Sequence, residues 1–279
     1  MSVPSTCVPT MHVVDDSTER FEAFQGLRHI PNLDGLRGVA IVLVLLHHVP
    51  AVSAPWLHRL QEHGKHGVSL FFVVSGFIVT TLLLREYRRQ RRVDVGGFLW
   101  RRVLRLWPLY YAVLLLEAVL VFGFEAYSAE NRQLFEDKLL CYALYCSNWL
   151  ESSGEGPFFV SWSLAAEEQF YLGLALVMLL LPPRGLLWVC IALLGFKLGL
   201  IYGVGVDPGA LPWRALLSYS EAIVFGVLLA LLLANPRGFA VCDRLLASKV
   251  SLLCLASVCA GLMVNGVLEN KSSPHALLL

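Results

Sequence analysis

Charged side chains are scarce in this chain: Asp, Glu, Lys and Arg make up 15% of its 279 residues, against about 25% in an ordinary soluble domain. That scarcity excludes a conventional water-facing globule. Also missing is an apolar core ahead of a small-residue cleavage site in the first thirty residues. They carry Asp15, Asp16, Glu19 and Glu22 instead, so no signal peptide is expected. No repeat of about 20–50 residues, no low-complexity linker and no soluble second domain interrupts the chain. Its seven cysteines are odd in number and scattered mostly inside apolar blocks. Cys141 and Cys146 have no neighbouring histidines to complete a ligand set, so the cysteines read as packing residues and no metal site is expected.

What the chain has in excess is apolar sequence. Hydrophobic residues make up 57% of it and the mean hydropathy is +0.64, where roughly 45–50% apolar is usual. They fall in blocks long enough to cross about 30 Å of hydrocarbon, which takes about 20 residues of helix. The reading is an all-α polytopic bundle with seven spans, at about 39–57, 67–84, 106–124, 162–181, 186–205, 214–234 and 250–267. Residues 139–150 are apolar but too short to cross unaided, so a re-entrant or surface helix is expected there.

A net charge of +1 conceals a local asymmetry, because eight arginines lie between Arg85 and Arg105 while acidic residues gather between Glu125 and Glu155. The positive-inside rule places that arginine loop in the cytoplasm, together with Arg184, Arg237, Arg244 and Lys249. It follows that residues 1–30 form a cytoplasmic amino-terminal tail and residues 31–279 a transmembrane domain in the inner (plasma) membrane, with 125–160 outside. The sequence stops at His275-Ala-Leu-Leu-Leu279, where a fresh apolar segment begins, so the domain is expected to be incomplete.

Ionisable residues inside an apolar span need a reason. The string PNLDGLRGVAIVLVLLHHV puts Arg37 at the edge of the first span and His47 and His48 within it. Eleven steps of about 100° bring Arg37 and His48 within roughly 20° of one another around the helix, whereas His47 points about 80° away from Arg37. A rise of about 1.5 Å per residue sets His48 roughly 16 Å deeper than Arg37, near the middle of the bilayer. The plainer alternative is a pair of buried core histidines hydrogen-bonded to neighbours.

An LDGLRG start followed by an arginine, ten residues and a histidine resembles the signature of the membrane-bound acyltransferase-3 family of O-acyltransferases. The resemblance implies that Arg37 and His48 are both needed for transfer and that a full member carries about ten spans. The second span, HGVSLFFVVSGFIVTTLLLRE, resembles a family segment with Gly-Val before Phe-Phe-x-x-Ser-Gly-Phe; Ser69, Ser75 and Gly76 read as small residues that permit close helix packing. In GGFLWRRVLRLWPLY, Arg102 and Arg105 stand three apart at the expected cytoplasmic edge. The resemblance implies acyl-CoA phosphates as their partners, bound by forked hydrogen bonds; setting topology is the alternative. SWSLAAEEQFYL closely matches a family run. Its Glu167 and Glu168 enter a membrane helix at some cost, either to meet its positive end or to pair with Arg37 or orient His48. YSEAIVFGVLLALL is similar to a later family segment, with Glu221 lining a cavity or sitting at the interface and Gly226 packing.

These readings combine into transfer of an acyl group, most often acetyl, from cytoplasmic acyl-CoA to a hydroxyl of a carbohydrate or cell-envelope acceptor. His48 is the general base and Arg37 stabilises the oxyanion or holds the donor. No tightly bound cofactor and no nucleic acid is expected. The alternatives left open by the residues are a covalent acyl intermediate, a non-enzymatic transporter using the same charged groups as a path, and an inactive, truncated relative.

Overall fold

The computed structural model describes residues 16–27, 30–50, 54–124, 126–149, 156–200 and 221–247. Among these residues the chain is helical, with no strand. The helices are α1 (Asp16–Gly26), α2 (Pro31–His48), α3 (Pro55–Glu62), α4 (His66–Gln90), α5 (Val95–Phe122), α6 (Ala129–Ala143), α7 (Ser161–Leu180), α8 (Pro183–Gly199), α9 (Glu221–Ala234) and α10 (Pro236–Ala247), with one 3₁₀ turn at Ser147–Trp149.

Local chemistry sets the ends that matter for the site. Pro31 opens α2 with its φ preset and no amide to leave unbonded. The helix stops at Val49, which is extended (φ −76°, ψ 144°) because a residue before proline, here Pro50, is pushed out of the helical region. The first span expected at 39–57 is thereby corrected: the helix lies eight residues earlier and its last residue is His48. Asp94 caps α5 by accepting from Gly97 N at 2.9 Å, and Ser128 caps α6 through Asn131 N at 3.3 Å.

By length and apolarity α4, α5 and α7 can each cross a membrane, and α9 with α10, bent by 104° between them, counts as a fourth if the pair is one span. Seven spans were expected. With Asp34, Arg37 and two histidines among its 18 residues, α2 is not one of these candidates. The described parts of α8 and α9 hold 17 and 14 residues, and residues 201–220 between them lie outside the described residues. The expected span at 250–267 lies outside the described residues. Of the segment 139–150, the described residues 139–149 form the end of α6, a turn and the 3₁₀ turn, and α6 packs Phe135 and Tyr142 against Tyr110, Leu114 and Val121 of α5.

At the centre stands α4, with Phe72, Val79 and Leu83 buried against Tyr171 and Leu174 of α7 and Ile223, Val224 and Val227 of α9. Glycines bring α4 and α9 into main-chain contact. A Cβ on Gly76 would overlap the Ile223 carbonyl oxygen, and one on Gly226 would overlap that of Val73, as small residues allow in lipid. The packing role expected of Gly226 is therefore a reciprocal one with Gly76.

The end of the bundle that carries the arginine run is closed by main-chain caps. Arg85 donates to Leu27 O and, at 2.7 Å, to Phe24 O; Arg88 donates to Ala234 O, and Gln25 Nε2 to Leu233 O at 3.2 Å. Phe21 and Phe24 of α1 meet Phe239 of α10 at ring-centroid distances of 5.4 and 5.5 Å, and Arg20 pairs with Asp243 at 3.1 Å. Part of the expected tail is thus a helix docked on the bundle.

Candidate active site

His48 ends α2 at the pole opposite the arginine run. Its Nδ1 lies 2.8 Å from Val44 O in its own helix. A carbonyl only accepts, so Nδ1 carries the proton and, in the neutral ring, Nε2 holds an open lone pair. The ring is exposed and meets Phe159 at 5.7 Å, just ahead of α7. His47 is committed differently, with Nδ1 donating to Gln61 O at 2.8 Å. His48 is the last residue of α2, and the roughly 16 Å of helix between it and Arg37 keeps both from touching one small group.

Arg37 points into the bundle. Its Nη2 donates to Ser75 Oγ of α4 at 3.4 Å, its guanidinium lies 5.6 Å from the centre of the Phe71 ring, and its buried Nε has no partner. Ser75, fully buried, also interacts with the Tyr171 hydroxyl of α7. Tyr171 in turn donates to Glu167 one helical turn earlier, and Glu167 is 5% exposed. Arg37 and Glu167 thus make no direct bond, and the side chains of Ser75 and Tyr171 lie between them.

Glu168 faces α5. Arg102 donates to its Oε1 through Nη2 at 2.7 Å and Nε at 3.2 Å, and the guanidinium stacks 3.7 Å from the centre of the Tyr171 ring. Each carboxylate of the pair thus has its own partner, and Tyr171 joins the two systems. Arg105, one turn further along α5, is exposed and makes no bond among the described residues. An aromatic series runs between the two parts of the site: Phe159 at His48, Trp162 on Phe72 at 6.3 Å, and Phe71 beneath Arg37. Among the described residues no group of three or more His, Cys, Asp or Glu is placed to hold a metal ion.

Two participants were not singled out from the sequence. Tyr171 was announced by its i, i+4 spacing from Glu167, and Ser75 was read only as packing. A third, Lys197, is a 4% exposed lysine in an apolar helix whose Nζ pairs with Glu221 Oε1 at 2.7 Å. That pair places Glu221 at the α8–α9 contact, away from Arg37 and His48 in the contacts each makes.

The O-acetyltransferases OatA of Staphylococcus aureus strains NCTC 8325 / PS 47 and COL are each 35% identical to the chain over 175 residues, 60% of this chain and 27% of the relative. The match thus spans about a quarter of the length of these relatives. No solved structure gives a significant match. A family model described as an acyltransferase domain matches residues 30–279, which covers the Arg37–His48 helix, the Ser75 helix and the Glu167-Glu168 helix together. The chain belongs to the acyltransferase-3 family.

Proposed function

We propose that this chain is a membrane O-acyltransferase, moving an acyl group, most often acetyl, from acyl-CoA to a hydroxyl of a carbohydrate or cell-envelope acceptor. The observation that carries the reading is the tautomer of His48: with Nδ1 held by Val44 O, the open Nε2 is placed to receive a proton. Nε2 takes the acceptor's hydroxyl proton as its oxygen attacks the thioester carbon. Collapse of the tetrahedral intermediate breaks the C–S bond, and the departing thiolate takes the proton back from the imidazolium. A base placed for the transition state contributes about 10²–10⁴-fold.

Arg37 serves the other charge of the reaction. Its unbonded Nε and long bond to Ser75 leave donor capacity for an anionic part of the donor away from the reacting carbon. Because about 16 Å of helix separates it from His48, Arg37 holds the donor along its length while His48 acts at the reacting end. Glu167 and Glu168 act through Tyr171 and Arg102, fixing the α4–α5–α7 junction. Arg102 is occupied by Glu168, so Arg105 is the member of the pair open to a donor phosphate. In this reading the arginine-rich pole and the amino terminus face the cytoplasm, and the acceptor approaches the His48 pole from outside the inner membrane.

The test is transfer of label from acetyl-CoA to envelope glycans by membranes containing the wild type, His48→Ala or Arg37→Ala. Loss of label in both variants is expected, and equal labelling in all three overturns the proposal.

A further inference from the structure

The connection between α6 and α7 carries features that the proton-transfer reading does not use. Tyr145 is 9% exposed and its hydroxyl is buried with no hydrogen-bond partner, whereas buried tyrosine hydroxyls usually find one. Its φ is +54°, and that of Phe158 is +64°. A bulky aromatic residue at positive φ is a strained outlier, and such strain persists only where the surroundings over-determine it. Both strained residues face Tyr110, with ring centroids 4.1 Å (Tyr145) and 5.3 Å (Phe158) away.

The surroundings that hold this arrangement are visible. Gln169 of α7 donates to Tyr145 O at 2.7 Å and to Asn148 Oδ1 at 2.9 Å, while its own oxygen accepts from Asn148 and Trp149. Gln169 is the immediate neighbour of Glu168, which interacts electrostatically with Tyr145. Both bonds from Arg102 go to Glu168 Oε1, so Oε2 has no partner among the described residues. Trp107 lies parallel to Tyr145 within 25°, at 6.1 Å, and is itself 42% exposed. Phe159, next to strained Phe158, delivers the same connection to the His48 ring.

We propose that this cluster is the acceptor subsite, binding a carbohydrate ring stacked on Trp107 with its hydroxyls on Tyr145 Oη and Glu168 Oε2. The chemistry fits a sugar, which offers a C–H face to an aromatic ring and a rim of hydroxyls that both donate and accept; a carboxylate oxygen takes the donor and a phenol serves either. A few fixed polar groups against an aromatic wall orient such a ligand. Aromatic residues that only mark a membrane interface keep their polar tips in water, which the dry Tyr145 hydroxyl does not. The inference rests on the hydroxyl-acceptor reading above, and it adds where that acceptor is held.

The test is saturation-transfer NMR of the protein in lipid nanodiscs, without acyl donor, against chitotetraose and maltotetraose. Binding of at least one is expected, weakened tenfold or more by Trp107→Ala and by Tyr145→Phe, and within threefold of wild type for Trp107→Phe, which keeps an aromatic face. Tyr145→Phe removes an unbonded hydroxyl, so its thermal midpoint is expected at or above that of the wild type. Binding of neither sugar, or unchanged affinity in Trp107→Ala and Tyr145→Phe, overturns the subsite. Label transfer from acetyl-CoA, followed in parallel, separates the two readings: transfer without sugar binding sinks the subsite alone, and variant-sensitive sugar binding without transfer upholds the subsite while sinking the transferase reading.

Discussion

At the arginine-rich pole of the bundle, charged side chains finish main-chain hydrogen bonding; at the His48 pole, several polar atoms are held in place with nothing to bond. Both Nη atoms of Arg85 and one of Arg88 meet carbonyls at helix ends, while Nε of Arg85 is buried without a partner. The opposite pole presents His48 Nε2, the buried Tyr145 hydroxyl and the buried His63 Nδ1 without partners among the described residues. A satisfied buried group contributes to stability, and an unsatisfied one costs it unless a ligand completes it. The difference separates the pole that holds the helices together from the pole where chemistry is expected.

Substitution of the two histidines probes that contrast most strongly. His48→Ala is expected to lower transfer by about 10²–10⁴-fold with an unchanged thermal midpoint. His47→Ala loses a bond to Gln61 O and is expected to cost about 1 kcal/mol of stability with little loss of turnover. Equal kinetic losses in the two variants would break the comparison. The next effect is on folding. Arg102→Ala leaves Glu168, whose side chain is 17% exposed, as an uncompensated carboxylate, at a cost on the order of 3 kcal/mol. The double variant Arg102→Met, Glu168→Leu is expected to recover most of that in thermal unfolding while transfer stays low.

A smaller loss is expected at the other pole. Arg85→Ala uncaps Leu27 and Phe24, costing about 1–3 kcal/mol and speeding proteolysis between α1 and α2, with transfer in intact membranes retained. The smallest effect is chemical. Burial, and then its bond to Cys141, push the Cys146 thiol up to about 11. Because the thiolate is the reactive form, maleimide labelling of Cys146 should be slow at pH 8 and accelerate as pH rises toward 11. Fast labelling at pH 8 would show that this loop is looser than its contacts imply.

The motif residues were legible from sequence because ionisable groups in apolar runs stand out. Arg37, Glu167 and Arg102 all make polar contacts inside the bundle, with Arg37 and Glu167 not bonded directly to each other. Sequence offered residue types and helical phases, whereas the partners are set by how α4, α5 and α7 pack, a non-local property. The register of the first span was missed for a local reason. The apolar run reads on through Pro50 and Pro55, whereas Pro50 stops the helix at Val49. Lys197 was overlooked although a lone lysine in an apolar run calls for a partner, here Glu221.

The close approach of α4 and α9, Gly76 against Ile223 and Gly226 against Val73, has a further consequence for Ser75. Two helices meeting backbone to backbone have no side chain at the contact that can rotate to absorb an error, so their separation is fixed to main-chain tolerance. Ser75 adjoins that contact and passes its position to Arg37 on one side and Tyr171 on the other. The glycine pair therefore works as a gauge block: the height at which Arg37 meets its partner is referenced to α9.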